Sequence, residues 1–407
     1  MHDLLPGETE KWQSAEQILA SVAKLYGYRE IRPPVIEERA LFERSIGTSS
    51  DIISKEIYCF QDRKGRNLAL RPEGTASVVR AFVESELSHR KKITRLYYYG
   101  QMFRYDRPQK GRYRQFYQFG VELLGGTHPY FDGEVMEMLD AMLKKLNVPD
   151  HFFSINTLGC TECKNRYTEI IRDRLSGKRD SLCPDCNVRL ETAPLRILDC
   201  KSSQCRETAK TAPGITEILC EECRSHFGQV QEYLLKAGIP FKVQPSLVRG
   251  LDYYTRTVFE LYVKDDENAV AAGGRYDTLV KDLGGPDIPS VGFAIGMERL
   301  ISLLEESTEK PPAPVYCIFM GREAQLKGIE IVSSLRNAGL MTVTDYEDRG
   351  LKGHLKEADR AGAKWCIILG ELEMDKNEIV VKNMVTGQQQ NVPVDDCVKR
   401  LKELVNA

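Results

Sequence analysis

The sequence predicts a chain of mixed α and β structure: an α+β part with an antiparallel hairpin, a helical cysteine-rich insertion within that part, and a C-terminal α/β domain. Three observations lead to this prediction. Two long strand-like runs, LYYYGQMFRYD and YRQFYQFGVELL, flank a short basic connection. Eight cysteines fall between positions 160 and 223. A proline-rich stretch precedes a last segment in which apolar runs alternate with helical stretches.

Length and composition describe a folded protein of more than one domain. At 407 residues the chain is too long for one ordinary core, so two or three domains are expected. The net charge of -2 balances 57 basic against 59 acidic side chains, so a nucleic-acid surface would have to come from local clustering. Long apolar runs are missing from the sequence, and the start MHDLLPGETEKW lacks a basic end followed by an apolar stretch. We therefore expect no membrane span, no signal peptide and a cytoplasmic location.

The N-terminal elements follow from periodicity and from two prolines. Apolar residues at helical spacing predict an amphipathic helix from Glu10 to Tyr26. In the next strand-like segment, GYREIRPPVIE, Pro33 and Pro34 remove two consecutive backbone donors, so this strand should lie at a sheet edge or at an interface. The hairpin comes next, and a helix is expected around 134–146.

The stretch LVRGLDYYTRTVFE, Leu247 to Glu260, alternates like a strand but carries Arg, Asp, Tyr and Thr. We interpret it as a strand that lines a site, because a charge set into an apolar element needs a partner. An ordinary sheet edge with a solvated polar face is the alternative. The segments AAGGRYDTLVKDLGG and SVGFAIGMERLISLLEE then predict a glycine-rich turn, a strand and a helix.

The C-terminal domain begins after the linker ESTEKPPAPV, which combines charge with three prolines. Beyond it, VYCIFM, MTVTDY, WCIILG and EIVVKNM read as strands separated by helical stretches. The predicted bounds are 1–150 and 245–306 for the α+β part, 151–244 for the insertion, 307–314 for the linker and 315–407 for the last domain.

Chemistry-bearing residues cluster on the hairpin. Arg104 leaves the first strand, and Gln118 and Glu122 lie four apart, hence on one face, of the return strand. An arginine beside a basic loop suits a polyphosphate or an RNA backbone, since guanidinium forms paired bonds to phosphate oxygens. A solvated hairpin tip is the alternative for the loop charges. Those loop charges are Arg107, Lys110, Arg112 and Arg114.

Two further segments carry weaker signals. In LRPEGTASVVRAF, Glu73 and Thr75 occupy a turn before a helix, where a carboxylate and a hydroxyl suit an ammonium group, although a plain helix N-cap is an alternative. In VGFAIGMERLISLL, Gly292 and Gly296 leave room for a flat group, and Arg299 begins a helix. A packing seam of small residues would explain those glycines equally well.

Taken together, these motifs resemble the ATP and amino-acid site of the class II aminoacyl-tRNA synthetases. GYREIRPPVIE is similar to their first motif, which implies a homodimer interface at Pro34. LVRGLDYYTRTVFE and AAGGRYDTLV look like the two signature segments of the histidyl-tRNA synthetase family, and the resemblance covers nearly the whole chain. It implies an α+β catalytic domain with an antiparallel sheet, a helical insertion and a C-terminal α/β anticodon-binding domain.

The resemblance also implies an activity: ATP-dependent ligation of L-histidine to tRNA(His) through histidyl-adenylate, with Mg2+. Arg249 and Arg104 would be catalytic, with Arg249 contacting the substrate carboxylate and the α-phosphate. Electrostatic stabilisation rather than a side-chain nucleophile would carry the chemistry. ATP would be bound by Arg104, Arg112 and Arg299. Histidine would be bound by Glu73, Gly74, Thr75, Gln118, Glu122, Arg249, Tyr253, Tyr254 and Tyr276, with Glu122 and Tyr254 on the imidazole nitrogens.

The clustered cysteines form four close pairs whose spacing fits structural zinc, and eight thiolates would make two four-thiolate sites. The resemblance does not require zinc, so reduced thiols in a helical insertion remain the alternative. The pairs are Cys160/Cys163, Cys183/Cys186, Cys200/Cys205 and Cys220/Cys223. The single cysteines, at positions 59, 317, 366 and 397, are expected in the core.

Two other classes of function stay open from the sequence. A non-catalytic paralogue, such as the regulatory subunit of ATP phosphoribosyltransferase, would tend to lose the arginine at 249 or the C-terminal domain, and this chain keeps both. An RNA-binding module would not need Glu73, Gln118 and Glu122 beside phosphate-binding arginines.

Overall fold

The structure, a computed structural model, describes residues 3–47, 50–106, 111–264, 266, 268–305 and 313–405. Its backbone divides into two compact units, Met1–Glu306 and Ser307–Ala407. Within the described residues no helix is long and apolar enough to cross a membrane.

The first unit is built from helices around a large sheet and a small one. Its helices are α1 (Glu8–Leu25), α2 (Arg39–Ile46), α3 (Thr75–Glu84), α4 (Leu87–Arg90), α5 (Tyr130–Lys145), α6 (Thr161–Ser176), α7 (Pro184–Thr192), α8 (Ser203–Ala209), α9 (Glu221–Lys236), α10 (Leu279–Asp282) and α11 (Met297–Leu303). Its strands are β1 (Arg29–Glu30), β2 (Ile36–Glu38), β3 (Cys59–Gln61), β4 (Asn67–Leu70), β5 (Thr94–Phe103), β6 (Gln115–Leu124), β7 (His151–Thr157), β8 (Phe241–Val243), β9 (Thr255–Val263), β10 (Ala271–Tyr276) and β11 (Ser290–Gly296).

The large sheet has the order β1-β5-β6-β11-β10-β9-β7-β8 over the described residues, and its central pairs are antiparallel. This confirms the predicted α+β class. Helices α1 and α5 cover one face with an apolar core that includes Trp12, Leu19 and Leu139. The sheet therefore presents its other face, with β6, β10 and β11 side by side, to the polar residues described below.

The two prolines act as the sequence predicted. Strand β1 lies at the edge of the large sheet, and the chain then moves to β2 in the small sheet. The carbonyl of Pro33 accepts a hydrogen bond from Nη1 of the buried Arg71 at 2.9 Å. A side chain thus satisfies the backbone where proline prevents sheet pairing.

The predicted hairpin is confirmed as β5 and β6, which pair over their full length with Leu96 opposite Glu122. Arg107 and Lys110 of its basic tip lie outside the described residues. Arg114, also predicted in the tip, stacks on the Tyr105 ring, with its guanidinium carbon 4.1 Å from the ring centroid. It is therefore not a freely solvated charge.

The strand prediction for Leu247–Glu260 was wrong for its first half, because β9 begins only at Thr255. The preceding backbone finds partners outside the sheet: the Gly250 carbonyl accepts from Ser50 Oγ at 3.2 Å, and the Asp252 amide donates to the Ile46 carbonyl. The residues from Leu247 to Arg256 are called the recognition loop below.

The glycine-rich turn predicted at AAGGRY was also wrong, since these residues form β10. Gly273 lies between Phe259 and Phe293, and a Cβ added at this glycine would come within 2.7 Å of each side chain. Glycine thus permits close packing inside the sheet, a role that the sequence does not distinguish from a turn.

The insertion predicted as helical from 151 to 244 includes two strands of the large sheet. Its first segment is β7 and its last is β8, and these two strands pair in parallel at the sheet end. The helical part runs from α6 to α9. Short segments such as FKV carry too little periodicity to predict a strand, and their pairing is set by tertiary contacts.

The second unit has an α/β sheet. Its strands are β12 (Val315–Phe319), β13 (Thr342–Thr344), β14 (Trp365–Leu369), β15 (Glu378–Asn383) and β16 (Gln389–Pro393), in the described order β13-β12-β14-β15-β16. Its helices are α12 (Arg322–Asn337), α13 (Leu351–Arg360), α14 (Glu371–Lys376) and α15 (Cys397–Val405). Strand β16 was missed because its sequence, QQNVP, is almost wholly polar. Most of the predicted linker, 307–312, lies outside the described residues.

Candidate active site

A buried carboxyl group lies at the centre of the polar pocket on the large sheet. Glu122 on β6 is 1% exposed, and one of its oxygens accepts a hydrogen bond from Thr75 Oγ1 at 2.6 Å. The Tyr276 hydroxyl on β10 donates to the other oxygen. Gly292 faces Glu122 across the β6–β11 pair, and a Cβ added there would lie 2.1 Å from the carboxyl oxygen. Glycine at 292 therefore makes the space in which Glu122 is held.

The electrostatic environment favours the uncharged form of this group. Burial raises the pKa of Glu122 to about 8, against the opposing effect of its bonds from Thr75 and Tyr276, and the nearby Glu73 adds to the rise. A carboxyl group that holds its proton near neutral pH can both donate and accept hydrogen bonds. It is thus suited to a ligand ring with one donor and one acceptor nitrogen.

Two acceptors for a cationic group belong to the same pocket. Glu73 accepts from the amides of Thr75 at 2.6 Å and Ala76 at 2.9 Å, so the N-cap contact considered from the sequence does occur at the start of α3. Oε1 of Gln118 is buried and has no hydrogen-bond partner among the described residues. A carboxylate and an unpartnered amide oxygen are the acceptors that an ammonium group needs.

Aromatic side chains close the pocket. Tyr253 and Tyr254 of the recognition loop are each 5% exposed, with ring centroids 4.7 Å apart. Tyr253 also meets Tyr276 edge-on at 5.6 Å. Gly74 packs against Tyr98, and a Cβ added at this glycine would lie 2.2 Å from the Tyr98 ring. These rings thus shield from water the polar groups that would bind a ligand.

Two arginines, Arg104 and Arg249, lie beside this pocket and form a first pair. Arg104 Nε donates to the Pro72 carbonyl at 2.8 Å, and Arg249 forms an ion pair with Glu260 on β9. Burial, opposed by nearby acidic groups and reinforced by Arg249, lowers the pKa of Arg104. The Nε of Arg249 is buried without a partner among the described residues. Two neighbouring guanidinium groups with spare donors favour an anion between them.

A second arginine pair consists of Arg112 and Arg299. Arg299 Nη1 donates to the Ala269 carbonyl at 2.6 Å, and Arg112 Nη1 lies 3.3 Å from an Asp106 oxygen. Burial and the charge of Arg112 lower the pKa of Arg299. The structure thus brings every predicted ATP-binding arginine into one of two like-charged pairs, a pattern that suits a polyphosphate.

Sequence reasoning assigned no role to two side chains that shape this site. Glu260 was placed on the strand, but its ion pair with Arg249 was not foreseen, since the loop between them folds back. Lys164 follows Cys163 and donates to the carbonyls of Asp252 and Tyr254 in the recognition loop. No sequence signal links that lysine to a loop so far along the chain.

The cysteines of the insertion assemble into two groups. The first cysteine cluster is Cys160, Cys163, Cys220 and Cys223, and the second is Cys183, Cys186, Cys200 and Cys205. The four sulfur atoms of each cluster lie within 4.8 Å of one another, and all twelve cysteines of the chain are thiols. The first cluster encloses the second in sequence, which spacing alone does not reveal.

The prediction for the single cysteines was correct at three positions and wrong at one. Cys317, Cys366 and Cys397 are buried, whereas Cys59 is exposed on β3, a strand without a buried residue. Cys59 therefore offers an internal comparison for the clustered thiols.

Comparison with known proteins matches this chain to aminoacyl-tRNA synthetases. The histidyl-tRNA synthetase family model matches residues 1–162 and 195–300, and the anticodon binding domain model matches 314–404. Residues 163–194, with three of the clustered cysteines, fall outside the matched ranges. The chain is 43% identical over 410 residues to a histidine-tRNA ligase of Halothermothrix orenii, covering 99% of this chain and 98% of the relative.

Solved structures give the same picture. The apo histidyl-tRNA synthetase of S. aureus is 36% identical, with a TM-score of 0.82 over 98% of this chain and 97% of that chain. A Bacillus halodurans protein described as an ATP phosphoribosyltransferase regulatory subunit/histidyl-tRNA synthetase is 23% identical, with a TM-score of 0.65 over 91% of this chain and 97% of that chain. The second likeness shows the fold alone.

Proposed function

Because this chain belongs to the histidyl-tRNA synthetase family, within the class II aminoacyl-tRNA synthetases, we propose that the Glu122 pocket binds histidine and that the two arginine pairs bind ATP. The chain is a ligase that attaches histidine to tRNA at the expense of ATP. The observation that carries the site assignment is the buried Glu122 carboxyl group, linked to Thr75 and Tyr276, in a pocket whose Glu73 lies close enough to Arg104 to affect its pKa.

Recognition of histidine depends on directed bonds to the imidazole ring. A protonated Glu122 donates to one ring nitrogen, and Tyr254 bonds the other, while Tyr276 closes the pocket. A wrong side chain of similar size would leave these buried groups unpaired, which discriminates far better than pocket volume. Glu73, Thr75 and Gln118 hold the ammonium group, and Gly74 keeps the backbone close to it.

Activation of histidine is an in-line displacement at phosphorus. The substrate carboxylate attacks the α-phosphate, forming the adenylate and releasing pyrophosphate. Arg249 contacts the attacking carboxylate and the α-phosphate, and Arg104 contacts the α-phosphate, so both stabilise charge as it develops. Arg299 and Arg112 hold the triphosphate end. The tRNA 3′ hydroxyl then attacks the adenylate carbonyl and releases AMP.

Class II synthetases generally use Mg2+ with ATP, and Glu260 is the carboxylate of this site that fits it. Glu260 lies between Arg249 and Tyr262, and its charge acts on the nearby Arg299 guanidinium. Protein sites often bind Mg2+ through one or two carboxylates together with substrate phosphates. When bound, the ion would neutralise phosphate charge and favour departure of pyrophosphate.

The remaining surfaces correspond to macromolecular partners. We assign the second unit to the anticodon region of tRNA(His), because its sequence matches the anticodon binding domain model. We assign the edge strand β1 and the residues around Pro34 to a homodimer interface, and the cytoplasm as the location, where tRNA is charged. Gel filtration should give twice the mass of one chain, and a mass of 46.2 kDa would contradict the dimer.

Each cysteine cluster is assigned one structural zinc ion. Four cysteine sulfurs within 4.8 Å of one another fit a tetrahedral site of four cysteine ligands, in which zinc–sulfur distances are ~2.3 Å. Backbone amides also donate to these sulfurs: Cys160 to Cys223 at 3.1 Å and Cys183 to Cys205 at 3.1 Å. Such bonds favour thiolates, which are the form that binds zinc.

Histidine-dependent exchange of labelled pyrophosphate into ATP tests the activity and its specificity together. We expect exchange with histidine and background exchange with each of the other amino acids. Folded, zinc-containing protein that exchanges no pyrophosphate, or that exchanges it equally with a second amino acid, would contradict the proposal.

A further inference from the structure

The first cysteine cluster lies directly behind the recognition loop, and Lys164 is one link between them. Lys164 follows Cys163 on α6, and its Nζ donates to the carbonyl of Asp252 at 2.6 Å and to that of Tyr254 at 3.0 Å. These carbonyls flank Tyr253 in a stretch without sheet pairing. A single ammonium group therefore fixes the backbone on both sides of a pocket tyrosine.

Glu222 provides a second link. It lies between Cys220 and Cys223, and its carboxylate meets the Arg256 guanidinium at 2.6 Å. Arg256 has a φ of 46°, a conformation that is unfavourable for a side-chain-bearing residue and that requires support from its surroundings. Arg256 is the last residue of the recognition loop and the second residue of β9, and it also pairs with Asp277 at 3.2 Å. Glu222 and Asp277 together therefore support the direction in which the loop continues into the strand.

The backbone forms a third link. The Arg256 amide donates to the Gly159 carbonyl at 2.7 Å, and the Leu158 amide donates to the Arg256 carbonyl at 2.7 Å. Gly159 immediately precedes Cys160, and a Cβ added to this glycine would lie 2.4 Å from the Cys163 Cβ. The chain thus passes from the loop contact straight into the cluster.

The cluster itself joins the two helices that carry these links. Cys160 and Cys163 lie at the start of α6, and Cys220 and Cys223 lie at the start of α9. The direct bonds between the two pairs are N–H to sulfur contacts of 3.1 and 3.2 Å, which are weak. A metal ion bound by all four thiolates would lock the two helix starts together.

From these contacts we propose that zinc in the first cysteine cluster holds the recognition loop in its histidine-binding conformation, acting through Lys164 and Glu222 as positioning residues. The inference rests on the proposed function. Because zinc and histidine favour the same loop conformation, each increases the affinity of the other. The second cluster is attached elsewhere, through Arg189 on α7, which bonds Asp51 at 2.8 Å.

The test uses the full chain, with zinc measured by elemental analysis and kinetic constants measured by pyrophosphate exchange. Lys164→Met should raise the KM for histidine about tenfold, the loss expected for one charged hydrogen bond. Glu222→Gln should raise it roughly three- to fivefold, because the Glu222 side chain is 77% exposed and Arg256 keeps Asp277 as a partner. The KM for ATP, the kcat and the zinc content should stay within about twofold of wild type. Cys220→Ser should lose one zinc ion and raise the histidine KM at least as much.

Three substitutions of exposed residues of the same types serve as controls. Glu221→Gln changes the neighbouring, 90% exposed carboxylate, Lys210→Met removes a 70% exposed lysine of the insertion, and Cys59→Ser removes an exposed thiol outside the clusters. All three should retain wild-type constants and zinc. Lys164→Met and Glu222→Gln leave the ligands intact, so they test the inference even if Cys220→Ser fails to fold.

The outcomes separate this inference from the proposed function. Wild-type protein that contains zinc but shows no histidine-dependent exchange would overturn both. Normal exchange with an unchanged histidine KM in Lys164→Met and Glu222→Gln would overturn only the inference. If both variants lost kcat, ATP affinity and thermal stability in parallel, Lys164 and Glu222 would have only a general structural role, and the inference would be overturned. Wild-type protein without zinc would overturn it as well.

Discussion

The proposed histidine pocket and the cysteine clusters are both groups of buried polar atoms, but their hydrogen-bonding needs are met differently. In the pocket, both oxygens of Glu122 already accept bonds from protein hydroxyls, and these partners can be exchanged for those of a ligand. In each cluster four sulfurs lie together, and the contacts between the pairs are weak amide-to-sulfur bonds and, in the second cluster, a sulfur–sulfur contact of 3.9 Å between Cys183 and Cys200. A reversible substrate site can keep internal partners, whereas grouped thiols of this kind fit the resident zinc ion that we propose.

The largest expected effect tests the catalytic side of this comparison. Arg249→Ala removes a guanidinium that we place on the reacting carboxylate and phosphate, so kcat for pyrophosphate exchange should fall by at least about 10²–10³-fold, as on loss of an oxyanion donor. Zinc content should not change. The exposed Arg63→Ala is the control and should keep full activity. Full activity in Arg249→Ala would remove that residue from the mechanism.

Metal removal tests the role that we propose for the cysteine clusters. Wild-type protein should contain about two zinc ions per chain, since each cluster supplies the four thiolates of a structural site. Prolonged chelation should increase hydrogen exchange in the helices from α6 to α9, because metal binding energy there is folding energy. If wild-type protein contained only background zinc and chelation left hydrogen exchange unchanged, the clusters would be groups of reduced thiols without a metal.

Substitution of the central carboxyl group should have a smaller effect that is confined to one substrate. Glu122→Gln keeps the shape but replaces one of the two oxygens, which accept from Thr75 and Tyr276, with an NH2 group that can only donate. The KM for histidine should therefore rise roughly 10–100-fold while the KM for ATP changes little. Glu169→Gln, on an exposed face of α6, should match wild type. Equal losses for both substrates would indicate a structural rather than a recognition role for Glu122.

The smallest expected effect concerns pH. The pKa of Glu122 rises from an ordinary 4.5 to about 8 in the folded chain, so the folded state holds a proton that the unfolded state has lost between these values. Its stabilising contribution is therefore complete below pH 4.5 and declines as pH rises towards 8, by at most ~1.4 kcal/mol per pH unit.

Denaturant unfolding of wild type and Glu122→Gln from about pH 5 to about pH 8.5 isolates this contribution, because other buried acids such as Glu298 are present in both proteins. The difference in unfolding free energy should shift against wild type as pH increases. Two curves that stay parallel across the range would show that Glu122 does not bind a proton in the folded state.

Within the proposed pocket, the hairpin and the recognition loop differ in how far the sequence could predict them. Gln118 and Glu122 were predicted to share a face because they lie four apart on one strand, and the hairpin predicted Arg104 close to them. The resemblance suggested the roles that we propose for Arg249 and Tyr254, but not their placement on a loop rather than a strand. That loop is held by Ser50, Ile46 and Lys164, which are distant in sequence, so local alternation gave the wrong element.

For the cysteine clusters, the sequence predicted which residues could bind a metal but not how the pairs combine in the fold. Cysteine spacing predicted two four-thiolate sites, and the structure forms two such groups. Spacing did not reveal that the outermost pairs, Cys160/Cys163 and Cys220/Cys223, belong together, because this depends on how α6 and α9 meet. Nor did it reveal the contact of Glu222 with Arg256, which depends on a backbone conformation with positive φ.

Transfer of histidine to tRNA is the most direct test of the central claim. Zinc-containing wild-type protein is incubated with ATP, Mg2+, labelled histidine and a tRNA(His) transcript, and the label that precipitates with RNA is measured. We predict one alkali-labile histidine per tRNA, strong loss in Arg249→Ala, and no charging of a tRNA for another amino acid. Pyrophosphate exchange without any transfer, or equal charging of an unrelated tRNA, would contradict the account.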